Sequence, residues 1–197
     1  MEWKAEMTQL APANSHEMVH LLEEKGALLR GSFTLSSGDV STYYFDSKRL
    51  TLDPEGGFEV AKYFLEKIKE TDAKVVGGMA EGAIPIVGLI TIQSYFDEYP
   101  LPAFFVRKEP KTHGTMKQIE GNLPTDTDTP VAILDDVVTG GKSIMQAIEL
   151  VEAEDIPIVS VMCILDRDEG GRELLRKKGY ELQAMFTVKD GEIYFNP

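Results

Sequence analysis

The sequence predicts an α/β fold, a central and mostly parallel sheet flanked by helices, with a small amino-terminal lobe beside it. Three observations predict this. Short β-branched runs recur along the chain, and apolar residues keep helical spacing between them. One run also ends in two acids followed by a glycine pair that opens a helix. Strands that alternate with helices build βαβ units, in which the strands run parallel and the helices cover the sheet.

From the amino terminus, Met18, Leu21 and Leu22 share one face of a helix expected at about 15–25, and Gly26 supplies its stop. The next stretch, GSFTLSSGDVSTYYFD, reads as a hairpin-like region. It precedes the first βαβ unit, so it is expected to form a hood beside the sheet and to wall one side of a site. Strands are expected at 75–79, 103–108, 131–136, 158–166 and 183–188. Phe58, Ala61, Phe64, Leu65 and Ile68 keep helical spacing after Pro54, and Ile144, Ile148 and Val151 do so after Gly140 and Gly141. Each of these helices therefore has one face for the sheet. Between 109 and 130, Pro110, Gly114, Gly121, Pro124 and the TDTDTP cluster leave no apolar period. A loop of about twenty residues inside a compact domain is uncommon and is usually functional or disordered. Residues 1–197 thus read as a single domain, with helix and hood over about 1–50, an α/β core over about 51–190, and a mobile loop at 109–130.

The chain has 197 residues, of which 43% are hydrophobic and 27% charged, the balance of a globular protein that buries a full core. A formal charge of -13 argues against a nucleic-acid partner, because neutralising phosphates needs clustered Lys and Arg. The same acidity also reads as a soluble, self-repelling surface. The first thirty residues contain no unbroken apolar core of a leader, and no run approaches the roughly eighteen apolar residues of a membrane span. Neither membrane association nor secretion is expected. Cys163 stands alone inside an apolar run, which excludes an intrachain disulfide and fits a buried, inert thiol in a reducing, cytoplasmic setting.

VAILDDVVTGGKS, residues 131–143, carries the strongest chemical signal. Ligands of parallel α/β sheets bind at the carboxyl ends of strands, and this strand ends on Asp135 and Asp136. Gly140 and Gly141 let the backbone approach an anion, Thr139 and Ser143 add hydroxyls, and the following helix aims its unpaired N–H groups at the same point. Ionised carboxylates offer only acceptors, so the acid pair suits the vicinal hydroxyls of a sugar. A phosphate pocket beside a diol pocket describes ribose 5-phosphate. A pair of acids alone reads as a polar strand end; the TGGKS continuation favours the ligand reading. The spacing is not that of a Walker A loop.

FFVRKEPKTHGTMKQIEG, residues 104–121, reverses the sign of the chain locally, with Arg107, Lys108, Lys111 and Lys117 set against Glu109 up to residue 117. A basic loop can close over a diphosphate and place cations where charge builds on a leaving group, although many loops carry charge only for solubility.

VAILDDVVTGG resembles the diphosphate-sugar motif of the type I phosphoribosyltransferases. VRKEPKTHG with the later EG is similar to the catalytic loop of the orotate phosphoribosyltransferase family, and the likeness extends to GSFTLSSG. The resemblance implies the type I phosphoribosyltransferase fold and transfer of ribose 5-phosphate from 5-phosphoribosyl 1-diphosphate (PRPP) to orotate, giving orotidine 5'-phosphate and diphosphate in pyrimidine biosynthesis. It implies that Asp135 and Asp136 hold the ribose hydroxyls, and that Val137, Val138, Thr139, Gly140, Gly141, Lys142 and Ser143 wrap the 5-phosphate. Arg107, Lys108, Lys111 and His113 would bind the diphosphate, the last two from the neighbouring subunit of a homodimer. Lys111 and His113 are also candidates for protonating the departing diphosphate. Thr139 and Arg167 match positions that contact orotate, and Tyr44 and Phe45 match the pair that covers the base. By its chemistry, a guanidinium such as that of Arg167 grips a carboxylate with two parallel bonds. An ion pair with Asp166, Asp168 or Glu169 would occupy it equally well.

The implied reaction calls for Mg2+ bridging diphosphate and ribose oxygens, with Asp135 and Asp136 acting on it through water; no His or Cys cluster suggests zinc. Two positions depart from one branch of the family. Ser36 stands where that branch has Lys, and Glu81-Gly82 in GGMAEGAIP replaces its Tyr-Lys, so main-chain amides of residues 79–82 are expected to serve the donor instead. Two rivals remain: a relative acting on a purine or uracil, and a non-catalytic regulator that keeps the fold.

Overall fold

The computed structural model describes residues 15–34, 40–110 and 118–197. Helix α1 (Ser15–Glu24) leads into the antiparallel pair β1 (Leu28–Thr34) and β2 (Val40–Phe45), where the sequence places its hairpin-like region. Helices α2 (Ser47–Thr51) and α3 (Pro54–Lys69) follow, then β3 (Val75–Gly78), α4 (Ala83–Phe96), β4 (Phe104–Val106) and β5 (Ile119–Gly121). The chain continues through β6 (Val131–Val138), α5 (Lys142–Glu152), β7 (Ile158–Asp166), α6 (Gly171–Lys177), β8 (Leu182–Lys189) and β9 (Glu192–Phe195).

The main sheet has the order β3-β6-β7-β8-β9, parallel from β3 to β8, with β9 returning antiparallel. Strand β4 lies alongside β3 through parallel bridges at Val76 and Met79, and it pairs with β5 in turn. Side-chain alternation splits the central strands between two cores. Ala132, Leu134, Met162 and Ile164 face α1, α3 and α4, while Val131, Ile133, Val161 and Cys163 face α5 and α6. This is the central, mostly parallel sheet flanked by helices that the sequence predicts. Cys163 is fully buried and its thiol is pushed well up by that burial, as expected of an inert core residue.

Helix α3 begins as its sequence suggests. Asp53 caps it by accepting the N–H groups of Glu55 and Gly56, both at 3.0 Å, and Pro54 occupies the first turn. Val60, Ala61, Phe64, Leu65 and Ile68 form its buried face.

Three expectations need correction. Strand β6 runs two residues beyond 136, so Asp135 and Asp136 lie within the strand. Register with β7 holds as far as Val138 opposite Asp166, which carries the strand past both acids. The stretch 109–130 is not without structure: Ile119–Gly121 pairs with β4, a segment too short to show a period. Helix α4 had no counterpart in the sequence reading, because its residues AIPIVGLITIQSYF are apolar all round and leave no polar face to mark a helical period. Among the described residues, no helix is long and apolar enough to cross a membrane.

Candidate active site

The carboxyl edge of β6 carries the site. Asp135 is only 4% exposed, yet it lines two cavities that meet at its side chain and at Ser143. The smaller, about 250 Å³, is walled by Asp135 and residues 137–144. The larger, about 730 Å³, is lined by Asp135 and Asp136 together with Lys48, Arg107, Lys108 and the 79–82 turn.

The smaller cavity has the construction of an anion cradle. Gly141 stands at the head of α5 with φ 77°, a left-handed conformation that costs other residues about 1–2 kcal/mol, and no side chain caps the helix there. The positive end of α5 is therefore turned to whatever fills the cradle. The loop is held from outside by its carbonyls. Val138 O accepts the Arg167 N–H at 2.9 Å and Thr139 O accepts the Gly171 N–H at 2.8 Å.

The two acids differ in their surroundings. Burial, and then the adjacent Asp136 charge, push the Asp135 carboxyl up to about 8. The Asp136 N–H, donated to Asp135 Oδ1 at 2.9 Å, opposes that shift. Asp136 is held at both oxygens: Ser47 donates its hydroxyl to Oδ2, and the Val137 N–H donates to Oδ1 at 2.9 Å. Gly82 packs against this carboxylate so closely that a Cβ there would lie 2.2 Å from Oδ1. That contact accounts for a glycine at this place in GGMAEGAIP. The 79–82 turn lines the larger cavity, although the Ala80 N–H is already donated to Val106 O at 2.7 Å.

On the far wall, Arg107 pairs with Glu120 on β5 at 3.0 Å, and its Nε is buried with no hydrogen-bond partner among the described residues. Lys108 shares that wall, and its carbonyl accepts Gln146 Nε2 at 3.1 Å. Lys111, His113 and Ser36 lie outside the described residues.

Arg167 follows the end of β7 beside the cradle, and its side chain is 16% exposed. Its Nε donates to the Tyr43 hydroxyl at 3.0 Å and lies 3.2 Å from Glu169 Oε1. Asp166 instead pairs with Arg172 at 2.8 Å. Tyr44 is exposed with its ring 5.8 Å from that of Phe33, and Phe45 packs on the core; neither lines the two cavities. Tyr43, Ser47 and Lys48 are the residues that sequence reasoning missed. Tyr43 could have been found by alternation, since β2 turns every second side chain inward. A further hollow of about 600 Å³ near β8 contains none of the predicted site residues.

No family model matches the chain. Orotate phosphoribosyltransferase of Aquifex aeolicus is 41% identical over 158 residues, 80% of this chain and 85% of that protein. The crystal structure of orotate phosphoribosyltransferase from Aeropyrum pernix superposes with a TM-score of 0.73 at 33% identity, covering 88% of this chain and 95% of that one. The Mycobacterium tuberculosis orotate phosphoribosyltransferase in complex with PRPP gives a TM-score of 0.69 at 28% identity, over 85% of this chain and 93% of that one. Identity of the Aquifex level through four fifths of a sequence, joined to the same arrangement of strands in solved structures, is descent and not convergence on a phosphate cradle: the chain belongs to the orotate phosphoribosyltransferase family.

Proposed function

We propose that this chain transfers ribose 5-phosphate from PRPP to orotate, releasing diphosphate and forming orotidine 5'-phosphate. One observation carries the reading: Asp135 and Ser143 line both cavities and Asp136 lines the larger, so the pockets proposed for phosphate and diol adjoin. The PRPP held by the Mycobacterium tuberculosis relative is a ligand of the same chemistry. In this reading, residues 137–143 bind the 5-phosphate, and Asp135 and Asp136 accept from the ribose hydroxyls. Arg107 and Lys108 meet the diphosphate, with Lys111 and His113 brought to it by the 109–130 loop from the partner subunit of a homodimer. Thr139 and Arg167 hold orotate, and Tyr44 and Phe45 cover it.

A deprotonated ring nitrogen of orotate attacks the anomeric carbon as the carbon–oxygen bond to diphosphate breaks, and Lys111 or His113 gives a proton to the departing diphosphate. The protein's task is to hold these groups in line and to neutralise the leaving charge with its cations. Mg2+ fits this donor set. Two adjacent carboxylates offer hard oxygen, while no cluster of three His, Cys, Asp or Glu among the described residues forms a protein cage, and Mg2+ characteristically completes its shell with water and phosphate. When bound, it would supply charge neutralisation of the diphosphate. The same reading makes residues 1–197 one domain, and the lone buried thiol supports a reducing, cytoplasmic setting.

Pure protein mixed with orotate, PRPP and Mg2+ is expected to consume orotate, followed by its absorbance. Lys111→Ala is expected to lower kcat by about 10²-fold or more, because it removes a cation aimed at developing charge. Turnover of adenine with none of orotate would overturn the base assignment.

A further inference from the structure

Two of the hydrogen bonds that tie residues 40–47 to the α/β core end on side chains of the proposed site. Tyr43, on β2, is 6% exposed, and its hydroxyl accepts Arg167 Nε at 3.0 Å. The guanidinium also stands 5.0 Å from the Tyr43 ring centroid, within cation–π range. Ser47, the first residue of α2, is 5% exposed and donates to Asp136 Oδ2. The backbone between them is pinned. The Asp46 N–H donates to Ala27 O at 2.8 Å, and Asp46 Oδ1 accepts the Lys48 N–H at 3.1 Å as the cap of α2.

We propose that Tyr43 and Ser47 are a paired positioning device, in which Tyr43 sets the plane of the guanidinium that receives the base carboxylate and Ser47 sets the carboxylate that receives the ribose hydroxyls. The inference rests on the function proposed above. A guanidinium recognises a carboxylate through two parallel bonds only when its plane is fixed, and Tyr43 with Glu169 fixes it through Nε. Asp136 is fixed likewise, with one oxygen held by Ser47 and the other by the Val137 N–H. Five residues of chain therefore set the geometry at the ends of two neighbouring strands, β6 and β7, and do so for the two substrates separately.

The separation makes the proposal testable by steady-state kinetics with each substrate varied in turn. Tyr43→Phe keeps the ring and removes the acceptor, and it is expected to raise the KM for orotate about tenfold while the KM for PRPP stays within about twofold. Ser47→Ala is expected to do the reverse, raising the KM for PRPP about tenfold and leaving that for orotate within about twofold. An unchanged orotate KM in Tyr43→Phe overturns the proposal, and so do both KM values rising together in either variant, because that signals general loosening. A variant that does not fold overturns it as well, since that outcome assigns the contact to the fold and not to the geometry of the site. Failure of the unmutated protein to turn over orotate strikes the proposed function instead and appears before any variant is made.

Discussion

Gly82 and Asp135 show how single residues set the chemistry of this pocket. The Asp136 carboxylate is short and is bonded at both oxygens, so it yields to a side chain at 82, whose Cβ would meet Oδ1 at 2.2 Å, only by breaking those bonds. Gly82→Ala is therefore expected to displace Asp136 and lower kcat/KM by about 10²-fold. Its melting temperature should stay within a few degrees of the parent, because the collision is with a side chain at a cavity wall and not with packed backbone; comparing kinetics with melting curves checks both halves. Asp135 makes a different prediction. Its carboxyl is raised from 3.8 to about 8, so the folded state binds this proton more tightly than the unfolded chain does. The stability this provides is complete below about pH 4 and is lost as pH rises through about 8. Asp135→Asn carries no charge there. In metal-free buffer, its melting temperature should gain on the parent between pH 5 and 8.5 and exceed it at the upper end by about 2–4 °C or more. A gap that does not widen with pH would mean that burial of Asp135 costs the fold nothing.

Elements differ in how openly the sequence declares them, and the difference is physical. The β6–α5 unit was legible because a buried parallel strand reads as an unbroken apolar run, and the residues that end it and open the helix belong to the few types that can approach an anion. Helix α3 was legible through Pro54 and its amphipathic face. Helix α4 was not, since it lacks that contrast, and it is held by Ala83, Ile86, Val87 and Ile90 packing inward while Ile92 and Tyr95 remain exposed. Strand β5 escaped because its three residues are defined by pairing with β4 and not by any local pattern. Strand β9 did carry a signal, the Asp190-Gly191 dipeptide between two strand-like runs, which is a hairpin turn by composition. The acids, the cradle and Arg167 could be named from sequence because their chemistry sits in contiguous motifs. Alternation along β2 could mark Tyr43 as inward-facing, but the roles of Tyr43 and Ser47 could not be read, for they lie in contacts 124 and 89 residues away along the chain.

At the scale of the whole molecule, a chain of net charge -13 must receive an anionic diphosphate sugar, and the larger cavity sets three cations beside its four acids, Glu81, Glu109, Asp135 and Asp136. Arg107, Lys108 and Lys48 line that cavity, and Lys111 and Lys117 follow in sequence. The proposed homodimer divides this work, with the core of one subunit supplying the acids and cradle and the loop of the other supplying Lys111. That division predicts complementation. Lys111→Ala has an intact core and a defective loop, whereas Asp136→Asn has the opposite pairing. When the two nearly inactive proteins are mixed and allowed to exchange subunits, half of the dimers become mixed, and each mixed dimer holds one site built from an intact core and an intact loop. Activity should then recover to about a quarter of the unmutated level. A loop that served its own subunit would leave every site with one defect, and the mixture would be no more active than the two proteins assayed apart.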